Sequence, residues 1–337
     1  MNRTRFASFP LLLALLFVLV LGVAIGEWVR YRSIPIEQPP GPVRFRVERG
    51  MSAPSIAEAM NAAGIRVSPW RMQVAARLRG DSRSIRQGVY EFAAPVTLEQ
   101  VLDKLVRGDV VLAQLTVIEG WSFRQMREGI ARHPELAHDS AGATEAEILR
   151  RIDARESAAE GLFFPSTYRF SPGASDYEVY RAAYRLMRRT LEEVWPARAS
   201  GLPLDSPYAA LVLASIVEKE TGRPEDRRKV AAVFVNRLRK GMPLQSDPTT
   251  IYGLGDRFDG NLRREHLRAD TPHNTYTRNG LPPTPIALPG RAALEAVLNP
   301  ETSTALYFVA RGDGSSEFSD DLAAHNRAVA RYQLKRP

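Results

Sequence analysis

From Phe9 to Gly26 the chain reads FPLLLALLFVLVLGVAIG, 18 residues without a charge, and no second stretch of this kind occurs in its 337 residues. As a helix these residues would reach about 27 Å, enough to cross a thin hydrocarbon core. A single run of this kind excludes a polytopic membrane protein. Arg3 and Arg5 precede it, and Trp28 and Tyr31 stand where an interfacial belt would lie. Arg30 and Arg32 follow, so only the α-amino group tips the balance toward an N-terminus inside. Two readings stand. One is a retained anchor over residues 9–29 behind a short cytoplasmic N-terminus, 1–8; the other is a signal peptide cleaved at the small-x-small pattern of Ala24 and Gly26. Both put the remainder outside the cytoplasm, and the first puts it on the periplasmic side of the inner (plasma) membrane.

Composition narrows the chemistry. The chain has no cysteine, which removes disulfides, cysteine-ligated metals, iron–sulfur clusters and thiol catalysis together. Lys and Arg number 46 against 38 Asp and Glu, for a net charge of +8, yet only five of the 46 are Lys and the Arg residues are scattered. That distribution points to coding composition, with attraction to an anionic polymer or membrane surface as a by-product. No RNP motif, zinc finger or basic zipper is present, so no nucleic-acid partner is expected. His133, His138, His266, His273 and His325 lack metal-ligand spacing. The nearest cluster, His266 with Glu265, Asp270 and His273, reads as a polar loop, and neither metal nor cofactor is expected. The absence of S-x-x-K, H-E-x-x-H and G-x-S-x-G sets aside the corresponding transpeptidase, metalloprotease and hydrolase chemistries.

Past a proline-rich linker (30–42, with SIPIEQPPGP from Ser33), the pattern becomes regular. Val43–Glu48 alternates as a strand, Ser52 can cap a helix to about Ala63, Pro69–Arg79 is helical, Gly88–Phe92 is a strand, and Thr97–Val106 has helical apolar spacing. The segment V-E-R-G-M-S-A-P-S-I from Val47 is echoed by V-I-E-G-W-S-F-R-Q-M from Val117: strand, Gly turn, Ser cap, apolar residue. The echo predicts a first module ending near Gly108 and a second unit opening with the same device. The strand–helix–helix–strand order over 43–110 resembles LysM, a glycan-binding module, against the plainer reading of a spacer; 111–337 is left as a catalytic domain. The fold class expected is α+β: one transmembrane helix, a LysM-like β-α module, then a mixed α/β domain.

Within that domain Tyr177–Trp195 reads as an amphipathic helix, and Tyr208–Val217 is apolar on every face except Ser215, the pattern of a helix buried all round. It ends in Glu218-Lys219-Glu220-Thr221-Gly222, with Gly222 as the expected C-terminal stop. Glu218 falls on the apolar face above Ala214 and Leu211, where desolvation and the negative end of the helix dipole both favour the protonated acid. That is the state a general acid needs near neutral pH. Glu220 points about 200° away around the helix. The alternative is a helix end with ordinary surface charges. A further apolar helix, Val230–Arg239, precedes stiff, turn-rich loops carrying Gln245, Ser246, Asp247, Asn274 and Tyr276. Amides, hydroxyls and aromatic rings on rigid loops suit a sugar polymer.

The stretches ASIVEKET (Ala214–Thr221), VFVNRLRKGMPLQSDPT (Val233–Thr249), IYGLG (Ile251–Gly255), NTYTRNGLPPTPI (Asn274–Ile286), and YFVARGDG followed by FSDDLAAHN resemble the YceG-like family of endolytic murein transglycosylases over essentially the whole chain. The resemblance implies Glu218 as the catalytic glutamate and a glycan cleft containing Gln245, Ser246, Asp247, Asn274 and Tyr276. It implies peptidoglycan strands as substrate, a membrane tether and peptidoglycan synthases as partners. Three positions depart from the family pattern: His273 stands for a usual Tyr, Thr284 for a Gly, and Ser316 for a His.

The reaction so implied cleaves the β-1,4 bond between N-acetylmuramic acid and N-acetylglucosamine without water. Glu218 would protonate the leaving oxygen, then take the proton of the muramyl C6 hydroxyl as a 1,6-anhydro ring closes. Tethering that nucleophile to the reacting sugar lets one carboxylate suffice where hydrolases use two. Two alternatives remain at this level: a hydrolase using Asp247 as second carboxylate, and a membrane-anchored glycan-binding or scaffold protein without catalysis.

Overall fold

The computed structural model describes residues 8–93 and 95–334. Arg3 and Arg5, and the 1–8 segment apart from Ser8, lie outside the described residues. The chain forms two compact units, one up to Ala113 and one from Gln114 onward.

The first unit begins with α1 (Ser8–Ser33), a 26-residue helix that runs past the expected end of the anchor at residue 29. It is the one described helix long and apolar enough to cross a membrane, over Leu13–Tyr31, and none of that window is buried. There follow β1 (Val43–Val47), α2 (Ala53–Ala62), α3 (Pro69–Leu78), β2 (Gly88–Phe92) and α4 (Leu98–Arg107). This is the strand–helix–helix–strand order read from the sequence, with β1 and β2 antiparallel and Val43 opposite Phe92. Phe45 stacks on Tyr90 and Phe92 above a core that includes Ile56, Met60, Met72 and Leu105. Local chemistry sets the helix limits. Ser52 Oγ accepts from Ser55 N–H at 3.3 Å, Thr97 and Gln100 form a reciprocal capping box, and Gly108 closes α4 at φ +71°.

The second unit comprises β3 (Ala113–Thr116), α5 (Phe123–Ala131), β4 (Leu136–Ala137), α6 (Glu145–Arg151), β5 (Thr167–Phe170), β6 (Ala174–Ser175), α7 (Asp176–Val194), α8 (Pro207–Glu220), α9 (Arg227–Arg239), α10 (Asp247–Leu254), α11 (Arg264–Arg268), α12 (Arg291–Leu298), β7 (Tyr307–Ala310), β8 (Ser316–Ser319) and α13 (Leu322–Tyr332). Its described strands form only two-stranded sheets: β3 with β5, β4 with β6, and β7 with β8. Helices therefore carry the core of this mixed α/β unit.

Helix α8 lies at its centre, in contact with α7, α9, α10 and α12. Every residue from Ala210 to Val217 is buried, as the unbroken apolar pattern requires. Ser215, the lone polar residue there, is satisfied twice: Oγ donates to the Val212 carbonyl at 2.7 Å and accepts from Ile286 N–H at 3.0 Å. The expected glycine stop is not what ends α8. Thr221 is the C-cap, in extended conformation, with its Oγ1 donating back to the Val217 carbonyl at 2.6 Å. Gly222 instead permits close approach, since a Cβ there would lie 3.1 Å from the Gly314 carbonyl oxygen.

The echoed motif folds the same way twice. Gly50 and Gly120 both have positive φ, +83° and +77°, and Ser52 and Ser122 cap the following helices.

Candidate active site

Glu218 closes the last turn of α8 and is half-buried. Its Oε2 accepts a hydrogen bond from Gly290 N–H at 3.0 Å. Gly290 is the N-cap of α12, so the carboxyl lies between the negative end of α8 and the positive end of α12. Burial raises the Glu218 pKa, the Gly290 N–H opposes that rise, and the nearby Glu119 charge adds to it. The segment holding Gly290 is docked on α8 through Ser215 and Ile286 and on the 118–121 turn through two backbone bonds. Gly120 N–H donates to the Leu288 carbonyl at 2.9 Å, and Leu288 N–H to the Trp121 carbonyl at 2.7 Å.

Beside this carboxyl runs a groove of about 1240 Å³, whose lining includes Gly120, Phe123, Glu160, Lys219, Tyr252 and His273. Gly120 and Lys219 are neighbours of Glu218: a Cβ on Gly120 would lie 3.8 Å from Glu218 Cγ, and Lys219 Nζ donates to the Gly120 carbonyl at 3.3 Å. The groove wall holds a second buried carboxylate. Glu160 accepts from Phe123 N–H at 2.9 Å and from the Tyr252 hydroxyl, and burial pushes its pKa up to about 7. Tyr252 also hydrogen-bonds to Thr284. Thr284 Oγ1 in turn lies 2.8 Å from His273 Nε2, and the His273 ring meets Tyr252 edge-on at 4.8 Å.

The loop residues singled out in the sequence gather elsewhere. Gln245, Asp247 and Tyr276 line a cavity of about 600 Å³ together with Glu220, Tyr307 and His325. Tyr276 Oη donates to Asp247 Oδ1 at 2.6 Å, and Ser246 Oγ donates to Glu220 Oε1 at 2.6 Å. Ser246 thereby satisfies a carboxylate instead of capping α10, and burial raises the Glu220 pKa to about 7. Gln245 adopts φ +52°, a conformation uncommon outside glycine, held by its N–H on the Thr275 carbonyl at 3.0 Å and by Arg237 Nη1 on its Oε1 at 3.2 Å. Asn274 is fully buried. Its amide nitrogen donates to the carbonyls of His266, Leu267 and Ala269, while Oδ1 accepts from Tyr276 N–H and Thr250 Oγ1. Both ends of that amide are thus used inside the loop. Ser316 also lines the second cavity, and its N–H donates to Asp226 Oδ2 at 2.8 Å.

The structure therefore brings Gln245, Ser246, Asp247 and Tyr276 together around Glu220, and places Asn274 beneath them. Glu218 keeps other company, as its angle from Glu220 on the helix requires. Glu119, Glu160, Tyr252 and Gly290 were not singled out from the sequence, although Glu119 lies in the echoed segment from Val117 and Tyr252 in IYGLG. A charged residue opening the aromatic run EGLFFPSTYRF was the available signal for Glu160. Among the described residues no group of three or more His, Asp or Glu side chains is placed to hold a metal ion.

The chain is 29% identical over 315 residues to a Bacillus subtilis protein named endolytic murein transglycosylase, covering 86% of this chain and 84% of that protein. A protein of the same name from Streptococcus pneumoniae is 27% identical over 282 residues, covering 74% of this chain and 51% of the relative, so the chain spans about half of that longer protein. The crystal structure of a YceG-like protein from Listeria monocytogenes superposes with a TM-score of 0.54 at 26% identity, covering 85% of this chain and 98% of that one. The profile of the YceG-like family matches residues 45–331, more than half of the first unit and nearly all of the second, and the chain belongs to the YceG-like family.

Proposed function

We propose that this protein is an endolytic murein transglycosylase with Glu218 as its single acid/base. Glu218 protonates the glycosidic oxygen between N-acetylmuramic acid and N-acetylglucosamine. It then accepts the proton of the muramyl C6 hydroxyl as that oxygen closes a 1,6-anhydro ring. The relatives named endolytic murein transglycosylase support the activity. The observation that carries the assignment to Glu218 is its setting: a half-buried carboxyl with raised pKa, one residue past the buried stretch Ala210–Val217 and next to Gly120 and Lys219, which line the groove. A raised pKa favours the protonated form that a general acid needs.

Asp247, the candidate second carboxylate for hydrolysis, is hydrogen-bonded to Tyr276 and lines the Glu220 cavity. An intramolecular nucleophile, the C6 hydroxyl already tethered to the reacting sugar, lets Glu218 act without it. In the same reading α1 is the membrane tether, the β-α-α-β module binds glycan as a LysM-like domain, and the tether holds the site near the synthases that extrude new strands. Cleavage within those strands would limit their length.

Incubating the protein with uncrosslinked glycan strands and reading the products by mass spectrometry tests the activity. Products lighter by one water than hydrolytic ones, and absent with Glu218→Gln, are expected. Reducing ends would make the enzyme a hydrolase, and persistent cleavage by Glu218→Gln would remove Glu218 from its role.

A further inference from the structure

Next to Glu218 stands a second carboxylate in a seat that only glycine provides. Glu119 precedes Gly120 in the turn after β3 and is exposed. Its carboxyl group lies over the Cα of Gly290: a Cβ built on Gly290 would fall 2.0 Å from Glu119 Oε1 and 2.4 Å from its Cδ. The same Gly290 donates its N–H to Glu218. One glycine therefore touches both carboxyl groups, through its Cα face on one side and its N–H on the other. The seat is fixed by the two backbone hydrogen bonds joining Gly120 and Trp121 to Leu288. Gly290 itself has φ −78° and ψ 171°, which any residue adopts, so the backbone there does not require glycine. The space for Glu119 does.

We propose that Glu119 is a positioning residue for Glu218: seated over Gly290, it keeps a negative charge beside the Glu218 carboxyl and so holds the proton there until the glycosidic oxygen takes it. This rests on the function proposed above and assigns the site a second acidic residue. Like charges held near one another disfavour double ionisation, and the effect grows where one of the two is partly desolvated. The charged and polar groups facing Glu218 are Glu119 from the turn before α5, Lys219 from α8, Arg227 from the start of α9 and the Gly290 N–H at the start of α12. Lys219 and Arg227 favour the ionised form; Glu119 is the one acidic group among these four. Glu119 does not exchange a proton with substrate in this scheme. It acts through Glu218.

Two substitutions remove the interaction by different routes. Glu119→Gln keeps the shape and removes the charge. Gly290→Ala keeps the charge and the Glu218 hydrogen bond but pushes the Glu119 carboxyl, the far end of a flexible side chain, out of its seat. The midpoint of Glu218 is read directly by 13C NMR of glutamate-labelled full-length protein in detergent, assigned with Glu218→Gln. Both substitutions should lower that midpoint by roughly 0.5–1 pH unit. Above the midpoint, glycan cleavage should fall by about 3–10-fold at unchanged KM, with the basic limb of the profile displaced to lower pH. The double variant should move the midpoint no further than Glu119→Gln alone, because the two changes abolish one interaction. A Glu218 midpoint unmoved in Glu119→Gln, in a protein with an unchanged spectrum elsewhere, overturns the proposal. A moved midpoint in a protein that cleaves no glycan upholds the coupling of the two carboxyls and overturns the proposed activity instead.

Discussion

His273 and Thr284 are hydrogen-bonded to one another, Nε2 to Oγ1 at 2.8 Å, and the His273 ring meets Tyr252 edge-on at 4.8 Å. Thr284 also meets the Tyr252 hydroxyl, which reaches Glu160. The two residues thus extend a chain of polar side chains that reaches the groove wall at Tyr252 and Glu160. Thr284→Val should destabilise the protein by about 1–2 kcal/mol, since it strands two half-buried partners. A double-mutant cycle with His273→Phe should return a coupling of about 0.5–1.5 kcal/mol in denaturant unfolding. Strict additivity would mean the pair is only adjacent.

Replacing Glu218 by Gln should lower glycan cleavage by about 100-fold or more, the loss typical of a missing general acid/base. Melting temperature should hold or rise slightly, because a partly desolvated carboxyl is replaced by a neutral amide of the same shape. A large fall in stability with the lost activity would point to a structural role.

Glu160 ties stability to pH with a definite sign. Its folded pKa, about 7, lies above the ordinary 4.5 of an unfolded glutamate, so the folded state holds the proton more tightly. Its contribution is most favourable below pH 4.5 and is lost as pH rises to about 7. The full difference is about 3–4 kcal/mol. Glu160→Gln should therefore gain on the wild type between pH 5 and 8 in urea titrations. Burial of His273 depresses its pKa and acts with the opposite sign, destabilising the fold as pH falls below its ordinary 6.5. Parallel pH curves for wild type and Glu160→Gln would remove the buried carboxylate from this account.

Gly161 has φ +81°, and a Cβ there would lie 2.4 Å from both Cβ and Cγ of Pro285. Gly161→Ala combines a strained backbone with a clash against a rigid ring, and should cost on the order of 2–4 kcal/mol. Calorimetry reads this directly. A change below about 0.5 kcal/mol would show that the 285 loop yields at little cost.

The parts legible in the sequence were those set by local chemistry. Ser52 and Ser122 cap helices because each side chain reaches a backbone N–H three residues on. The burial of α8 followed from an apolar run with no polar face. Gly222 misled because a glycine after a helix has two uses, left-handed cap and close approach, and only the neighbouring Gly314 decides between them. The partners of Glu218 were illegible for a similar reason: Gly290 is 72 positions away, and no spacing rule links the two. Gln245, Asp247 and Tyr276 share a cavity with Glu220 because α8 directs that side chain toward them.

A helix with no solvent face cannot fray along its length. From Ala210 to Val217 the backbone of α8 is enclosed, so its amide protons can exchange with water only when the surrounding unit opens as a whole. The proposed acid is carried at the tip of that post. Heat should accordingly inactivate the protein in one step with the melting of the second unit, with no earlier stage in which the chain stays folded while Glu218 drifts from its place.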